Sequence, residues 1–217
     1  MSVKNILFNN FSDLEEIPLP KWLDKNIETD NSSIKSYLWK SNKIRRIRFC
    51  ELNVGNKFFA ESLVIYPEFD YETPILGTEY LNCSNKKYFG TIDFHPLKND
   101  KNYLETYVQK YLAAFPDRTK NESKIYNLEK YFSKKLWLKS FDTCFYKEYL
   151  VELDNYIKKY KVCLEDSKQT SSNYLYHKEY DHHLSCTDPA YGILKAHYNK
   201  EFAEDYIYKF LFDLGLN

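Results

Sequence analysis

Apolar and polar positions change their spacing twice along this chain. Residues 1 to about 43 are polar and irregular, with Pro18 and Pro20 around a single apolar step and a short helix suggested near residues 33–39. Between Arg46 and His95, β-branched and aromatic residues come in short runs broken by turn signals, which predicts strands over 46–53, 58–66, 74–81 and 88–94. Gly55 and residues 82–86 fall where hairpin connections belong, so neighbouring strands should run antiparallel. Beyond Pro96 the period lengthens. Leu104, Tyr107, Val108, Tyr111, Leu112 and Phe115 make one apolar stripe of a helix that Pro116 ends. Residues 135–139 can form one more strand. Phe145, Tyr149, Leu153, Tyr156, Ile157 and Tyr160 mark a second long helix with Asp142 as its N-cap. Residues 171–183 read as helical, Thr187-Asp188-Pro189 is a helix start, and a last helix from about Lys200 turns Phe202, Tyr206, Phe210 and Leu211 inward. Strands followed by helices are the order of an α+β domain, its antiparallel sheet covered by helices. Without an internal repeat or a long linker, residues 1–217 read as one domain.

Composition narrows the function classes. The 217 residues include only 5 glycines, and neither G-x-G-x-x-G nor G-x-x-x-x-G-K occurs, so phosphate-loop and dinucleotide readings lack their loop. The 31 basic and 31 acidic side chains cancel, which argues against a general nucleic-acid binder while leaving room for a local basic patch. The 5 cysteines are odd in number and contain no C-x-x-C, as in a protein that keeps its thiols reduced inside a cell. No stretch approaches the ~20 apolar residues of a membrane span, and the acidic N-terminus is unlike a transit peptide. A cytoplasmic monomer is the expectation. The aromatic excess, 21 Tyr, 15 Phe and 3 Trp, is unexplained at this level.

Several clusters bear on chemistry, each with a plain structural alternative. His177, His182, His183 and Cys186 form one loose group without the paired spacing of a zinc site, so a metal is not expected. Arg45, Arg46 and Arg48 are either the solvated charges of an edge strand or a clamp for carboxylates and phosphates. Asp188, standing before Pro189, has the position of a helix cap. Glu79 and Asp93 lie within otherwise apolar or small-residue strands, where a carboxylate either faces solvent or lines a cavity that raises its pKa into a useful range. No G-x-S-x-G, no H-E-x-x-H and no activated cysteine signature supports hydrolysis.

The segments YPEFDYETPILGTEYL and GTIDFHPLKNDKNYLETY resemble the ferredoxin-dependent bilin reductases. So do CTDPAYGILKAHYNKEFAEDYIYKFLFDLG near the C-terminus and PLPKWL and SSIKSYLWKSNKIRRIR near the N-terminus. The matching blocks cover nearly the whole chain in order, and several are most similar to the branch that forms 15,16-dihydrobiliverdin. The resemblance implies a three-layer α/β/α sandwich with an open-chain tetrapyrrole held between a central antiparallel sheet and the C-terminal helices. It implies no bound flavin, metal or nicotinamide. Electrons would come singly from reduced ferredoxin, and biliverdin IXα would gain two of them at its 15,16 double bond. A second reductase would then receive the product on the way to phycoerythrobilin. A four-electron enzyme making phycoerythrobilin itself, or a bilin-binding protein with impaired turnover, are the alternatives.

Residue by residue, the family's strand carboxylate, usually Asp after P-x-x-G-x, falls on Glu79, one methylene longer. The family's second carboxylate matches Asp188. A position that is His or Asn in relatives is Ser62, which can hydrogen-bond a lactam oxygen but cannot act as an acid near neutral pH. Arg45, Arg46, Arg48 and Lys139 are the candidate contacts for the pigment's propionates or for acidic ferredoxin.

Overall fold

The structure is a computed structural model and describes residues 1–117 and 130–214. Its centre is one antiparallel sheet of eight strands. These are β1 (Glu15–Glu16), β2 (Asn26–Glu28), β3 (Ser33–Ser41), β4 (Ile44–Val54), β5 (Phe58–Pro67), β6 (Ile75–Cys83), β7 (Lys87–His95) and β8 (Trp137–Phe141). Spatial order follows the chain from β3 to β8, and β1 and β2 share the outer edge of β3. The four expected central strands are β4 to β7. The fifth, expected at 135–139, is β8, displaced by two residues.

Residues 33–39 form a strand, not the expected helix. Ile34, Tyr37 and Leu38 fit a helical spacing, but Ile34, Ser36 and Leu38 equally alternate with Lys35, Tyr37 and Trp39. Continuous pairing with β4, from Ser33 opposite Asn53 to Trp39 opposite Ile47, selects the strand. The polar N-terminus also contains a helix that its composition obscured. In α1 (Val3–Asn10), the Ser2 side chain accepts the Asn5 N–H at 3.3 Å, and Val3, Ile6 and Leu7 are buried on one face.

Helix α2 runs as Lys101–Tyr103, a π-wound Leu104–Gln109 and Lys110–Leu112, short of Pro116 as expected. Helix α3 (Tyr146–Asp166) buries Tyr149, Leu153, Tyr156, Ile157 and Tyr160 in the stripe read from the sequence. Its N-cap is Phe145, without a side-chain bond, so Asp142 is not the cap; it lies in the bend that leaves β8. Helices α4 (Tyr174–Ser185), α5 (Ala190–His197) and α6 follow, the last as Lys200–Asp205 and a π-wound Tyr206–Leu211. Tyr206, Phe210 and Leu211 are buried and Phe202 only partly so.

Alternation along β4 sorts the layers. Ile47 and Phe49 join the apolar cluster that includes α1, α2 and α3, whereas Cys50 and Leu52 pack with Leu194 of α5 and Tyr206 and Phe210 of α6. The result is the expected α+β sandwich, with helices on both faces of the sheet. Most of the aromatic excess is spent here: Tyr66, Tyr149, Tyr156, Tyr160, Tyr180, Phe49, Phe94 and Phe210 are among the largest fully buried side chains. Among the described residues no helix is long and apolar enough to cross a membrane.

Candidate active site

Three adjacent strands carry three polar side chains to one spot. In the register of β4, β5 and β6, Ser62 lies directly opposite Glu79, and Arg48 lies diagonally across from Ser62, so all three project from the same face. Arg48 donates from Nη1 to Ser62 Oγ at 2.8 Å, which leaves the Ser62 proton free to be donated. The loop between α4 and α5 lowers Asp188 onto the same place. A cleft between the sheet and the C-terminal helices measures about 230 Å³ and is lined by these four residues together with His95, Tyr131 and Tyr180. A narrower recess of about 50 Å³ continues past Ser62, Glu79 and Asp188 towards Cys50 and Tyr206.

The electrostatics of the cleft favour carboxyl groups that keep their protons. Burial, reinforced by the nearby Asp188 and opposed by Arg48, pushes Glu79 up from 4.5 to about 7. Burial also raises Asp188, although the Ala190 N–H and Arg48 pull it down. Two carboxyls beside one guanidinium therefore titrate as a coupled set. Asp188 is at once a cap and a cavity residue, because its Oδ1 accepts the Ala190 N–H at 2.8 Å at the start of α5 while its side chain lines the cleft.

Residues 5–213 match the family model described as ferredoxin-dependent bilin reductase. The chain belongs to that family. It is accordingly an oxidoreductase that takes electrons from ferredoxin. Similar relatives include a 15,16-dihydrobiliverdin:ferredoxin oxidoreductase of Nostoc punctiforme, 28% identical over 95% of this chain and 90% of the relative. One of the same description from Synechococcus sp. is 30% identical over 90% and 89%. Among solved structures, phytochromobilin synthase from tomato in complex with biliverdin superposes with a TM-score of 0.82 at 18% identity, covering 99% of this chain and 84% of that one. That likeness speaks for the fold.

In this bilin reductase the arginine run is not an edge feature. Strand β4 is interior, and Arg46 and Arg48 are buried. Only Arg48 of the three lines the cleft. A register shift between Ile44 and Arg46 turns Arg45 aside, where its guanidinium lies over Tyr66 and Phe69 at 4.7 and 4.4 Å and donates to His177 Nδ1 at 3.3 Å. Arg46 donates to the Phe210 carbonyl and so ties down the end of α6. Lys139 is also off the cleft: it pairs with Glu148 of α3, on the opposite face of the sheet. Of the four cationic residues expected to meet the pigment's propionates or ferredoxin, Arg48 alone lines this cleft; Lys139 faces the other side of the sheet because strand positions alternate, and Arg45 is turned aside by the bulge.

The other candidates separate cleanly. Asp93 is neither solvent-facing nor in the cleft; it is fully buried and accepts from Ser133 N–H and Oγ–H, each at 2.6 Å. His177 is buried beside Arg45, while His182 and Cys186 are exposed. Among the described residues no three His, Cys, Asp or Glu side chains gather as a metal site. Sequence reasoning passed over His95 and Tyr180. His95 is the continuation of the Thr91 and Asp93 alternation on β7, a usable signal, whereas nothing in the spacing of α4 says that Tyr180 meets it.

Proposed function

We propose that this chain reduces biliverdin IXα by two electrons at its 15,16 double bond to 15,16-dihydrobiliverdin, as a step of phycoerythrobilin synthesis in the cytoplasm. The observation that carries the reading is the Glu79 and Asp188 pair, set beside Arg48 in the cleft of a fold shared with a biliverdin-binding synthase. The regiochemistry of the proposal follows the names of the relatives, which support it and speak of those proteins alone.

The balance is simple. Two electrons from two reduced ferredoxins and two protons convert the C15=C16 double bond to a single bond, with one new C–H at each carbon. The protein has to provide protons near neutral pH without holding free water against a radical. A carboxyl whose pKa is about 7 is half protonated at pH 7 and gives up its proton at little cost. Arg48 then stabilises the carboxylate left behind. In this reading Glu79 and Asp188 are the proton donors, Ser62 hydrogen-bonds a pigment oxygen, and electrons arrive from ferredoxin without a resident cofactor, within one domain of 217 residues.

The test is anaerobic incubation with biliverdin, ferredoxin and a reducing system. Loss of the biliverdin spectrum with a two-electron product on chromatography is expected. No spectral change would sink the proposal, and a four-electron product would replace the reaction while keeping the enzyme class.

A further inference from the structure

The lining of the cleft includes a histidine on β7 whose placement is unusually constrained. His95 lies at the end of β7 with its ring folded over β6, and a Cβ at Gly77 would come within 2.8 Å of its Nδ1 and 2.9 Å of its Nε2. Only glycine at position 77 leaves room for the ring. Phe132 meets it edge-on at 5.2 Å, and on the remaining side Tyr180 Oη lies 2.7 Å from Nδ1. The Tyr180 hydroxyl has no other acceptor among the described residues, which favours it as the donor and Nδ1 as the bare nitrogen. The proton of a neutral ring is then on Nε2, which has no protein partner among the described residues, in a ring that forms part of the cavity wall. Burial holds the ring neutral, with its pKa lowered to about 3.

We propose that His95 contacts the ligand in this cleft as a fixed, uncharged donor, offering Nε2–H to a carbonyl oxygen of the pigment, and that Tyr180 is the positioning residue that fixes the tautomer. The proposal rests on the bilin reading. An N–H donor cannot serve a pyrrole N–H, and a neutral ring does not balance a propionate, so a ring carbonyl is the group that fits. Gly77, which the His95 ring covers, is two residues and about 7 Å along β6 from Glu79, on the same side of the strand. A flat conjugated ligand laid against β6 would meet the two groups at separate points, one fixing its position and the other supplying protons.

Two measurements test this. In pigment-free protein, ¹⁵N NMR of His95 should show a protonated Nε2 and a bare Nδ1; the reverse tautomer overturns the proposal. Tyr180→Phe should then give a mixture of tautomers. In titrations with biliverdin, His95→Leu should bind roughly tenfold more weakly, with a shifted long-wavelength band, and His95→Gln, which offers an amide N–H, should recover most of the affinity. Equal affinity for wild type and His95→Leu, with unchanged spectra, also overturns it. If His95→Leu does not fold, the wild-type tautomer and the Tyr180→Phe titration, expected about threefold weaker, decide. Wild-type protein that binds no biliverdin would remove the bilin reading itself, an outcome distinct from all of these.

Discussion

Replacing Glu79 by Gln keeps the shape of the side chain and removes its ionisation, so it isolates the cost of burying a charge in the cleft. Lifting the Glu79 pKa from 4.5 to about 7 means that the folded protein disfavours the carboxylate by ~3 kcal/mol, at about 1.4 kcal/mol per pKa unit. Part of that is shared with Asp188, so ~1–3 kcal/mol is the range to expect. The folded protein holds this proton more tightly than the unfolded chain does. Stability from Glu79 is therefore fully present below pH 4.5 and is lost as pH rises towards 7. Denaturant unfolding of pigment-free wild type and Glu79→Gln should give similar stabilities at pH 4.5, with the variant ~1–3 kcal/mol more stable at pH 8. The same variant should form no 15,16-dihydrobiliverdin at an appreciable rate. Parallel pH profiles for the two proteins would refute the claim that the folded protein holds the Glu79 proton.

Asp188 should separate its two roles by substitution. Asp188→Asn keeps an oxygen for the Ala190 N–H and should leave stability within ~0.5 kcal/mol while product formation falls at least tenfold, whereas Asp188→Ala should also lose ~1 kcal/mol of stability; full turnover in the Asn variant would leave Asp188 a cap alone. Gly77→Ala should destabilise the protein by ~1–3 kcal/mol through the His95 ring, and adding His95→Ser should restore most of the loss in thermal or denaturant unfolding.

The strands that build the cleft were readable from sequence because β-branched and aromatic residues come in short runs bounded by turn signals, as in β4 to β7. Segments with two acceptable periods were not. Residues 33–39 fit helix and strand alike until β4 supplied partners, and α1 is short, with only three buried positions. Glu79 and Asp188 were legible as candidates, since a carboxylate in an apolar strand and an Asp before Pro both stand out locally. Their meeting was not, because it depends on how the α4–α5 loop descends on the sheet. Of the two readings of the arginine run, the exposed edge fails because β4 has a neighbour on both sides, and each guanidinium has a different partner. Asp93 was ambiguous for want of Ser133, a contact between distant segments that no local pattern announces.

Arg48, Ser62 and Glu79 come from consecutive strands, but Tyr180 and Asp188 reach them only after β7, α2, β8 and α3 have intervened in the chain. Contacts so far apart in the chain are the last to repay the entropy of closing their loops. A partly folded chain with its sheet in place would thus present Arg48 and Glu79 on an open surface without a lid, a lining without a cavity. Occupancy of the cleft by pigment is consequently a readout of complete folding, and pigment supplied during refolding should favour the finished protein over such half-covered forms.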